Sequence, residues 1–287
     1  GGSWQSSGLF TGLVPGNYNV RIRDAANINC VIVLNNALQI TQPAVLNATV
    51  TTVMVSCNGA NDGRIIINSP TGGSGTYGYS IDGGTTWQTS GTFNGLAPDT
   101  YDVRIRDAAN TSCIIILNPA VVITEPPVLN ALVASVNVTC FGANNGVISI
   151  TNPTGGYGTY EYSANGGTSW QPTGNFSNLA PGTFDVRIRD RAHTDCYIIL
   201  DPALVITQPA QLTASVGKTD VTCNGANDGV ITITSPAGGY GTYQYTINGG
   251  ASWTSSGTFS YLSPGTYNVR IRDAANTSCE IVLDPAL

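Results

Sequence analysis

Charged residues are scarce in this sequence, and basic ones are the scarcest. The 287 residues include 11 Lys and Arg and one His against 17 Asp and Glu, which gives a net charge of −6. Lys218 is the only lysine. Binding to nucleic acid or to an anionic membrane surface requires clustered basic side chains. The composition therefore argues against both kinds of partner.

The motifs of common enzyme classes are also missing. No CxxC, HExxH, P-loop or GxSxG pattern occurs. The single histidine, His193, is replaced by asparagine at the positions offset by multiples of 83 residues. No apolar run is long enough to cross a bilayer, and no signal peptide opens the sequence. We predict no catalytic residue, no enzymatic activity and no membrane insertion.

An 83-residue period organises what is present. It is kept by every tryptophan and cysteine: Trp4, Trp87, Trp170 and Trp253; Cys30, Cys113, Cys196 and Cys279; Cys57, Cys140 and Cys223. A unit of this length suits a small β-domain and is too long for a solenoid turn or propeller blade. We predict modules at 44–126, 127–209 and 210–287, the last with an incomplete final strand, preceded by a C-terminal half-module at 1–43. Because a unit is cut at each end, we expect a segment of a longer array.

Short strand-like runs separated by Gly, Asn and Asp turns predict the fold within a unit. The segment LAPDTY (96–101) and its counterparts are similar to the tyrosine corner of immunoglobulin-like sandwiches, although Phe184 lacks the hydroxyl. The apolar alternation slips at Thr51–Thr52, which indicates a bulge or a switch between sheets. We predict an all-β fold: tandem immunoglobulin-like or fibronectin-like β-sandwich modules in a rod-like array.

The stretch SIDGGTTW (80–87) fits the Asp-box of sialidase propellers, but its acid is not retained. Asn165 and Asn248 stand where Asp82 does. An amide cannot take over the chemistry of a carboxylate, whereas both residues form tight turns. We therefore interpret this segment as a hairpin.

Oxygen-rich loops raise the question of calcium. NGANDG (58–63) and its counterparts contain Asp62 and Asp228, and each VRIRD strand ends in an aspartate such as Asp107. Calcium prefers several oxygen ligands, but the spacing of an EF-hand is absent. We favour turn formation and no cofactor, with calcium at Asp62, Asp107 and Asp228 as the alternative.

The VRIRD strands place two arginines on one face and two apolar residues on the other. Arg104 and Arg106 form such a pair. The rows favour a solvated sheet face with cross-strand partners such as Asp102 or Glu161. The alternative is contact with anionic glycans, made by these arginines and by Trp87, Trp170 and Trp253.

Two cysteines per repeat in a fixed frame predict disulfides formed in an oxidising compartment. One pairing closes each repeat on itself: Cys57–Cys113, Cys140–Cys196 and Cys223–Cys279. The other joins segments across a boundary: Cys30–Cys57, Cys113–Cys140 and Cys196–Cys223. The first is favoured because it leaves the linker near Pro43 extended, and both remain open.

Four features together resemble the SprB-repeat family of Bacteroidetes cell-surface adhesins: VTCNGANDGVITI (221–233), GGYGTYQYTINGG (238–250), LSPGTYNVRIRDA (262–274) and the later Cys279. The resemblance implies type IX secretion, display outside the outer membrane, and a role in gliding or attachment. We expect an extracellular stalk or filament segment that sets distance and carries load. Its expected partners are neighbouring copies of the repeat, including lateral assembly into a filament. The alternative is a set of polysaccharide-binding modules.

Overall fold

The computed structural model describes residues 3–287, and every regular element there is a β-strand. The chain divides into two compact units, Gly1–Glu125 and Pro126–Leu287. None of the described residues belongs to a helix that could serve as a membrane span. The predicted all-β class is confirmed.

The strands recur with the sequence period. Residues 1–43 contribute an antiparallel pair, β1 (Gly16–Arg23) and β2 (Val31–Ile40). Residues 44–126 form β3 (Asn47–Val53), β4 (Gly63–Thr71), β5 (Tyr77–Ser80), β6 (Thr92–Leu96), β7 (Asp99–Asp107) and β8 (Ile114–Ile123). Residues 127–209 form β9 (Asn130–Val136), β10 (Gly146–Thr154), β11 (Tyr160–Ser163), β12 (Asn175–Leu179), β13 (Gly182–Asp190) and β14 (Tyr197–Ile206). Residues 210–287 form β15 (Ala210–Thr219), β16 (Gly229–Gly239), β17 (Tyr243–Thr246), β18 (Thr258–Leu262), β19 (Val269–Asp273) and β20 (Glu280–Asp284).

Each complete set of six strands makes two antiparallel three-stranded sheets. In residues 44–126 the orders are β3–β4–β6 and β5–β7–β8, and the later repeats keep the same pattern. Buried side chains from both sheets meet in one core, which includes Ile65 and Ile67 of β4 and Val103 and Ile105 of β7. Two sheets over a shared apolar core form a sandwich, as the sequence predicts.

The period-2 pattern of VRIRD explains how β7 is oriented. Val103 and Ile105 are fully buried, whereas Arg104 and Arg106 between them are half-buried on the opposite face. Successive side chains of a strand point to opposite faces, so this strand covers the core and presents its arginines outward.

The apolar slip at Thr51–Thr52 marks a crossing between sheets. After β3 ends at Val53, the Val55 amide donates to the Thr124 carbonyl at 3.0 Å, just beyond the end of β8 in the other sheet. The equivalent bond joins Val138 to Thr207 at 2.9 Å. The register shift between β3 and β4 lies earlier, between Asn47 and Thr49. Of the two expected explanations, the switch between sheets therefore applies at this slip.

The tyrosine corners form as predicted. The hydroxyls of Tyr18, Tyr101 and Tyr267 donate to the carbonyls four residues earlier, at 2.6, 2.9 and 2.8 Å. Each bond ties the start of a long strand to the segment that enters it. At Phe184 the missing hydroxyl means that packing alone holds the corner.

Candidate functional site

A disulfide joins the two neighbouring sandwiches of the unit Pro126–Leu287. Cys140, in the loop between β9 and β10, is bonded to Cys279, which ends the turn between β19 and β20. The S–S distance is 1.98 Å, the Cα–Cα distance is 5.3 Å, and 139 residues separate the two cysteines. We call this contact, with Thr139, Tyr240 and Asn276, the joint.

Hydrogen bonds surround the disulfide. The Thr139 carbonyl accepts from the Tyr240 hydroxyl at 3.0 Å and from Asn276 Nδ2 at 3.4 Å. Cys140 also packs against the apolar core of residues 210–287, and Cys279 retains only 6% of its exposure. The joint thus combines a covalent bond with polar and apolar contacts between two repeats.

A buried carboxylate positions the donors of the joint. Asp273, at the end of β19, accepts from the Tyr240 amide with one oxygen, and from the amides of Ala275 and Asn276 with the other at 2.7 and 3.2 Å. Its side chain is completely buried. Two loops that are distant in sequence are therefore held together by one acidic side chain, which is why each VRIRD strand ends in aspartate.

The same arrangement accounts for Asp107, a calcium candidate. One of its oxygens accepts from the Ser74 amide at 2.6 Å, and the other from the Ser74 hydroxyl at 2.6 Å and the Ala109 amide at 2.8 Å. The side-chain hydrogen bond from Ser74 is the main cause that lowers the pKa of Asp107, against an opposing effect of burial. Its oxygens are engaged by loop donors.

The other two calcium candidates lie in the loops after β3 and β15. Asp62 accepts from the Ser56 amide at 2.8 Å and from its hydroxyl at 2.5 Å. Asp228 accepts equivalently from Thr222 at 3.0 and 2.6 Å, and the hydroxyl bond is the main cause that lowers its pKa. Residues 3–287 contain no group of three or more His, Cys, Asp or Glu side chains arranged to hold a metal.

The predicted disulfide pairings are not those of the structure. Cys113 and Cys223 are free, so Cys57–Cys113 and Cys223–Cys279 are wrong, and Cys140 bonds to Cys279 instead of Cys196. The alternative set, Cys30–Cys57, Cys113–Cys140 and Cys196–Cys223, is wrong as well, because each pair contains a free cysteine.

Strand length explains why a repeat does not close on itself. Val138 lies beside Thr207, after the C-terminal end of β14, whereas Cys196 precedes the N-terminal end of that strand. A strand of 10 residues spans roughly 33 Å. A disulfide needs Cα atoms within about 7 Å. Cys140 and Cys196 therefore lie at opposite ends of the sandwich.

Each tryptophan of the hairpins stacks on an arginine of the VRIRD strand. The guanidinium carbons of Arg106, Arg189 and Arg272 lie 4.5, 4.4 and 4.3 Å from the ring centres of Trp87, Trp170 and Trp253. This geometry is a cation–π contact. The Trp87 ring also lies close to Gly84, and its Nε1 donates to the Gly84 carbonyl at 2.8 Å. The ring is therefore engaged by its own repeat.

The arginine partners differ among repeats. Arg189 donates to Glu161 on the neighbouring strand, with Nε at 2.8 Å, and Arg272 donates to Gln244 at 2.8 Å. Gly78 occupies the corresponding place opposite Arg106, whose buried Nε has no hydrogen-bond partner among residues 3–287. The prediction of a cross-strand partner is right for Glu161.

Asp102 pairs within its own strand. It accepts from Arg104, two residues along β7, at 2.6 and 3.0 Å. This bond is the first cause that lowers the pKa of Asp102. The expected cross-strand geometry is therefore wrong for this residue.

The segment SIDGGTTW is a hairpin. Gly83 and Gly84 have φ of 72° and 89°, and Asp82 accepts from the Thr86 amide at 2.9 Å and from its hydroxyl at 2.5 Å. Partial burial acts to raise the pKa of Asp82, but hydrogen bonds, first that of the Thr86 side chain, outweigh it and lower the pKa to about 2. Asn165 makes the same amide bond, from Ser169 at 3.0 Å. The amide and the carboxylate serve the same turn.

Sequence reasoning missed the joint because it paired cysteines within a repeat or across a linker. The fixed spacing of both cysteine sets was the available signal, since it also allows a separation of 139 residues. Nothing in the spacing selects that separation. The choice depends on which end of each sandwich faces its neighbour.

Comparison with known families identifies the repeat. The SprB repeat matches residues 49–86, 132–169 and 215–252, which are 83 residues apart and include the first strands and the hairpin of each sandwich. No curated protein matches the chain. The SprB repeat is a structural repeat of Bacteroidetes cell-surface adhesin-like proteins and does not define an enzyme family. The chain therefore carries three SprB repeats, one in each of its three sandwiches.

Proposed function

We propose that this chain is a segment of the stalk or filament of a secreted cell-surface adhesin, where it sets distance and carries tension during attachment or gliding. The observation that supports this role is the Cys140–Cys279 joint. A peptide linker alone lets two folded domains pivot. A covalent bond at a second point, with hydrogen bonds beside it, restricts that motion.

The joint also limits how far the chain extends under load. When the chain is pulled from both ends, the 139-residue separation between the two cysteines is bypassed by the disulfide. Fully extended chain measures about 3.5 Å per residue, so the bypassed length is about 480 Å. While the joint is intact, unfolding of these repeats therefore adds only a small length to the chain.

Single-molecule pulling of the chain with and without a reductant tests this role. Cys57 and Cys196 are disulfide-bonded as well, so the test uses a Cys57→Ser/Cys196→Ser background, in which reduction is expected to lengthen the fully unfolded chain by about 480 Å. A Cys30→Ser/Cys113→Ser/Cys223→Ser variant removes the free thiols, leaves the joint, and is expected to respond like the original chain. Equal extension before and after reduction would refute the tension-bearing role.

Location and partners follow from the same chemistry. A disulfide is stable in an oxidising compartment, which supports display at the cell surface after type IX secretion. The partners proposed for the array are neighbouring copies of the repeat, including copies that assemble laterally. No calcium is needed for the bonds that hold the loops of Asp62, Asp107 and Asp228.

The competing role is recognition of a surface polysaccharide by the tryptophans and arginines. Trp87, Trp170 and Trp253 each carry an arginine over the ring. A sugar stacks on an open aromatic face, and here the guanidinium occupies one. We therefore propose that these stacks brace the hairpins rather than bind glycans.

A further inference from the structure

Charge is distributed unevenly within residues 127–209. Every Asp, Glu, Lys and Arg of this repeat lies either at Glu161 in β11 or between Asp185 and Asp201, in β13, β14 and the turn that joins them. The strands of the other sheet, β9, β10 and β12, contain none. The equivalent sheets of the other two complete repeats are charged, since β4 carries Arg64 and β15 carries Lys218. Only one of the three sandwiches therefore has a sheet without charge.

The outer face of this uncharged sheet is also exposed and largely apolar. Ile148 and Ile150 of β10 are buried in the core, so the residues that alternate with them point away from it. Leu132 and Val136 of β9 are 61 and 57% exposed. The outward residues of the two strands form the pairs Leu132–Thr151, Ala134–Ser149 and Val136–Val147. We call these six residues the outer patch.

The absence of charge from the outer patch is not a requirement of the fold. In residues 44–126, Arg64 stands opposite Val53 on the same two strands. The equivalent pair in residues 127–209 is Val147 opposite Val136. Because an arginine fits this position in one repeat, folding does not explain the valine in the other.

Contacts along the chain leave the outer patch open. A complete repeat precedes residues 127–209 in the sequence and another follows them. The joint to the following repeat uses Cys140, in the loop beyond the end of β9. The outer patch is therefore a surface of an interior repeat, and it faces sideways from the contact that links one repeat to the next.

Charge identifies a second copy of the chain as the partner of this surface. Residues 127–209 include five acidic side chains and three arginines, which gives a charge of −2, and the whole chain carries −6. Two copies therefore repel each other, and the repulsion is weakest where neither copy presents a charge. The face of a sheet is also complementary in shape to the face of another sheet, which packs on it at about 10 Å.

We propose that two copies of the chain pack side by side through their outer patches, sheet against sheet around a two-fold axis. The inference rests on the lateral assembly proposed above and names the surface that forms it. Strands of 7, 9 and 5 residues make up the sheet. Its face measures roughly 15 by 25 Å. Two such faces bury about 750 Å², which is the size of a weak and reversible contact.

Sedimentation velocity of the full chain tests the proposal. A Cys30→Ser/Cys113→Ser/Cys223→Ser background prevents free thiols from linking the copies. We expect reversible dimers to form between roughly 10 µM and 1 mM, the range of weak complexes. The dimer fraction should rise with salt, because salt screens the repulsion between the negatively charged copies.

Val147→Arg removes the uncharged character of the outer patch. The variant should fold, because Arg64 occupies the matching position in residues 44–126, and thermal unfolding checks this. A two-fold contact brings both arginines together, so the dissociation constant should rise at least about tenfold. Val230→Arg is the matched control, since it adds the same charge at the equivalent position of residues 210–287 and should leave dimerisation unchanged. Leu132→Thr, which copies Thr49, should weaken the dimer without adding a charge.

The outcomes separate this surface from lateral assembly in general. Dimers that persist in Val147→Arg would overturn the outer patch as the contact and would leave lateral assembly to another face. Equal weakening by Val147→Arg and Val230→Arg would overturn it too, because the cause would then be the added charge and not its position. A chain that stays monomeric up to about 1 mM would overturn both the outer patch and lateral assembly. The tension-bearing role, which is measured on single molecules, would not be affected by any of these results.

Discussion

Removing the buried carboxylate at the end of a VRIRD strand should destabilise its whole repeat. Asp190 is fully buried and accepts from the amides of Tyr157, Ala192 and His193 at 2.5, 2.7 and 3.3 Å. A hydrogen bond to a charged group contributes about 1.5–3 kcal/mol, so the two short bonds contribute about 3–6 kcal/mol. A domain of this size has a free energy of unfolding of about 4–12 kcal/mol. Asp190→Ala should remove roughly half of it.

Calorimetry of the full chain measures the effect. A loss of about 3 kcal/mol corresponds to a midpoint at least about 12 °C lower for that repeat. Hydrogen exchange at the Tyr157 and Ala192 amides should become faster. Asp190→Asn keeps one acceptor oxygen, so its midpoint should lie between those of the original chain and of Asp190→Ala. Asp195→Asn, in the exposed turn that follows Asp190, is the control.

The reasoning would be refuted by an Asp190→Ala chain whose midpoint matches that of the Asp195→Asn control. Such a result would mean that water satisfies the three amides once the carboxylate is removed. The loop donors, and the equivalent donors at the joint, would then be held by their own turns and not by the acid.

Three further predictions concern the repeat 44–126. Gly78→Glu should raise the free energy of unfolding of this repeat by about 1 kcal/mol, because the change removes a strand glycine and gives Arg106 a carboxylate partner. Urea titration measures the effect, and a destabilised variant would contradict the prediction. Asp82→Asn should leave stability at neutral pH nearly unchanged. Since the folded pKa of Asp82 is lowered from 3.8 to about 2, the original chain should lose stability as pH falls across that window, and the variant should lose less. Equal pH profiles would contradict the role of its hydrogen bonds. Trp87→Ala should lower the free energy of unfolding by about 2 kcal/mol, because it removes a large, half-buried ring. The same variant should leave the signal on a glycan array unchanged. A loss of glycan binding without a loss of folding would favour the binding role.

Structural features that depend on neighbouring residues could be predicted from the sequence. The paired glycines 83 and 84 and the exchange of Asp82 for asparagine in other repeats predict a turn, and φ of 72° and 89° at Gly83 and Gly84 agrees with it. The alternation of VRIRD likewise fixed which side chains of β7 face the core. These features depend on residues within a few positions of one another, so a pattern in the sequence suffices.

Partners that come from distant segments were harder to assign. The cross-strand pairing of Arg189 with Glu161 is predicted correctly. For Asp102 the prediction of a cross-strand arginine is wrong, because its partner Arg104 lies on the same strand. The role of Asp107 in tying the loop of Ser74 to its own turn was not foreseen, and its carboxylate was considered for calcium instead. Which donors reach a buried acid depends on how the sheets pack.

The sequence by itself determined the repeat, the sandwich class, the corners and the hairpins, because an exact period and short-range patterns encode them. Only the tertiary structure decided the disulfide. A strand of 10 residues keeps the two cysteines of a repeat at opposite ends of the sandwich, so Cys140 meets the turn of the next repeat. Which cysteines bond to each other depends on the distance between them in the folded chain, and their spacing in the sequence does not give that distance.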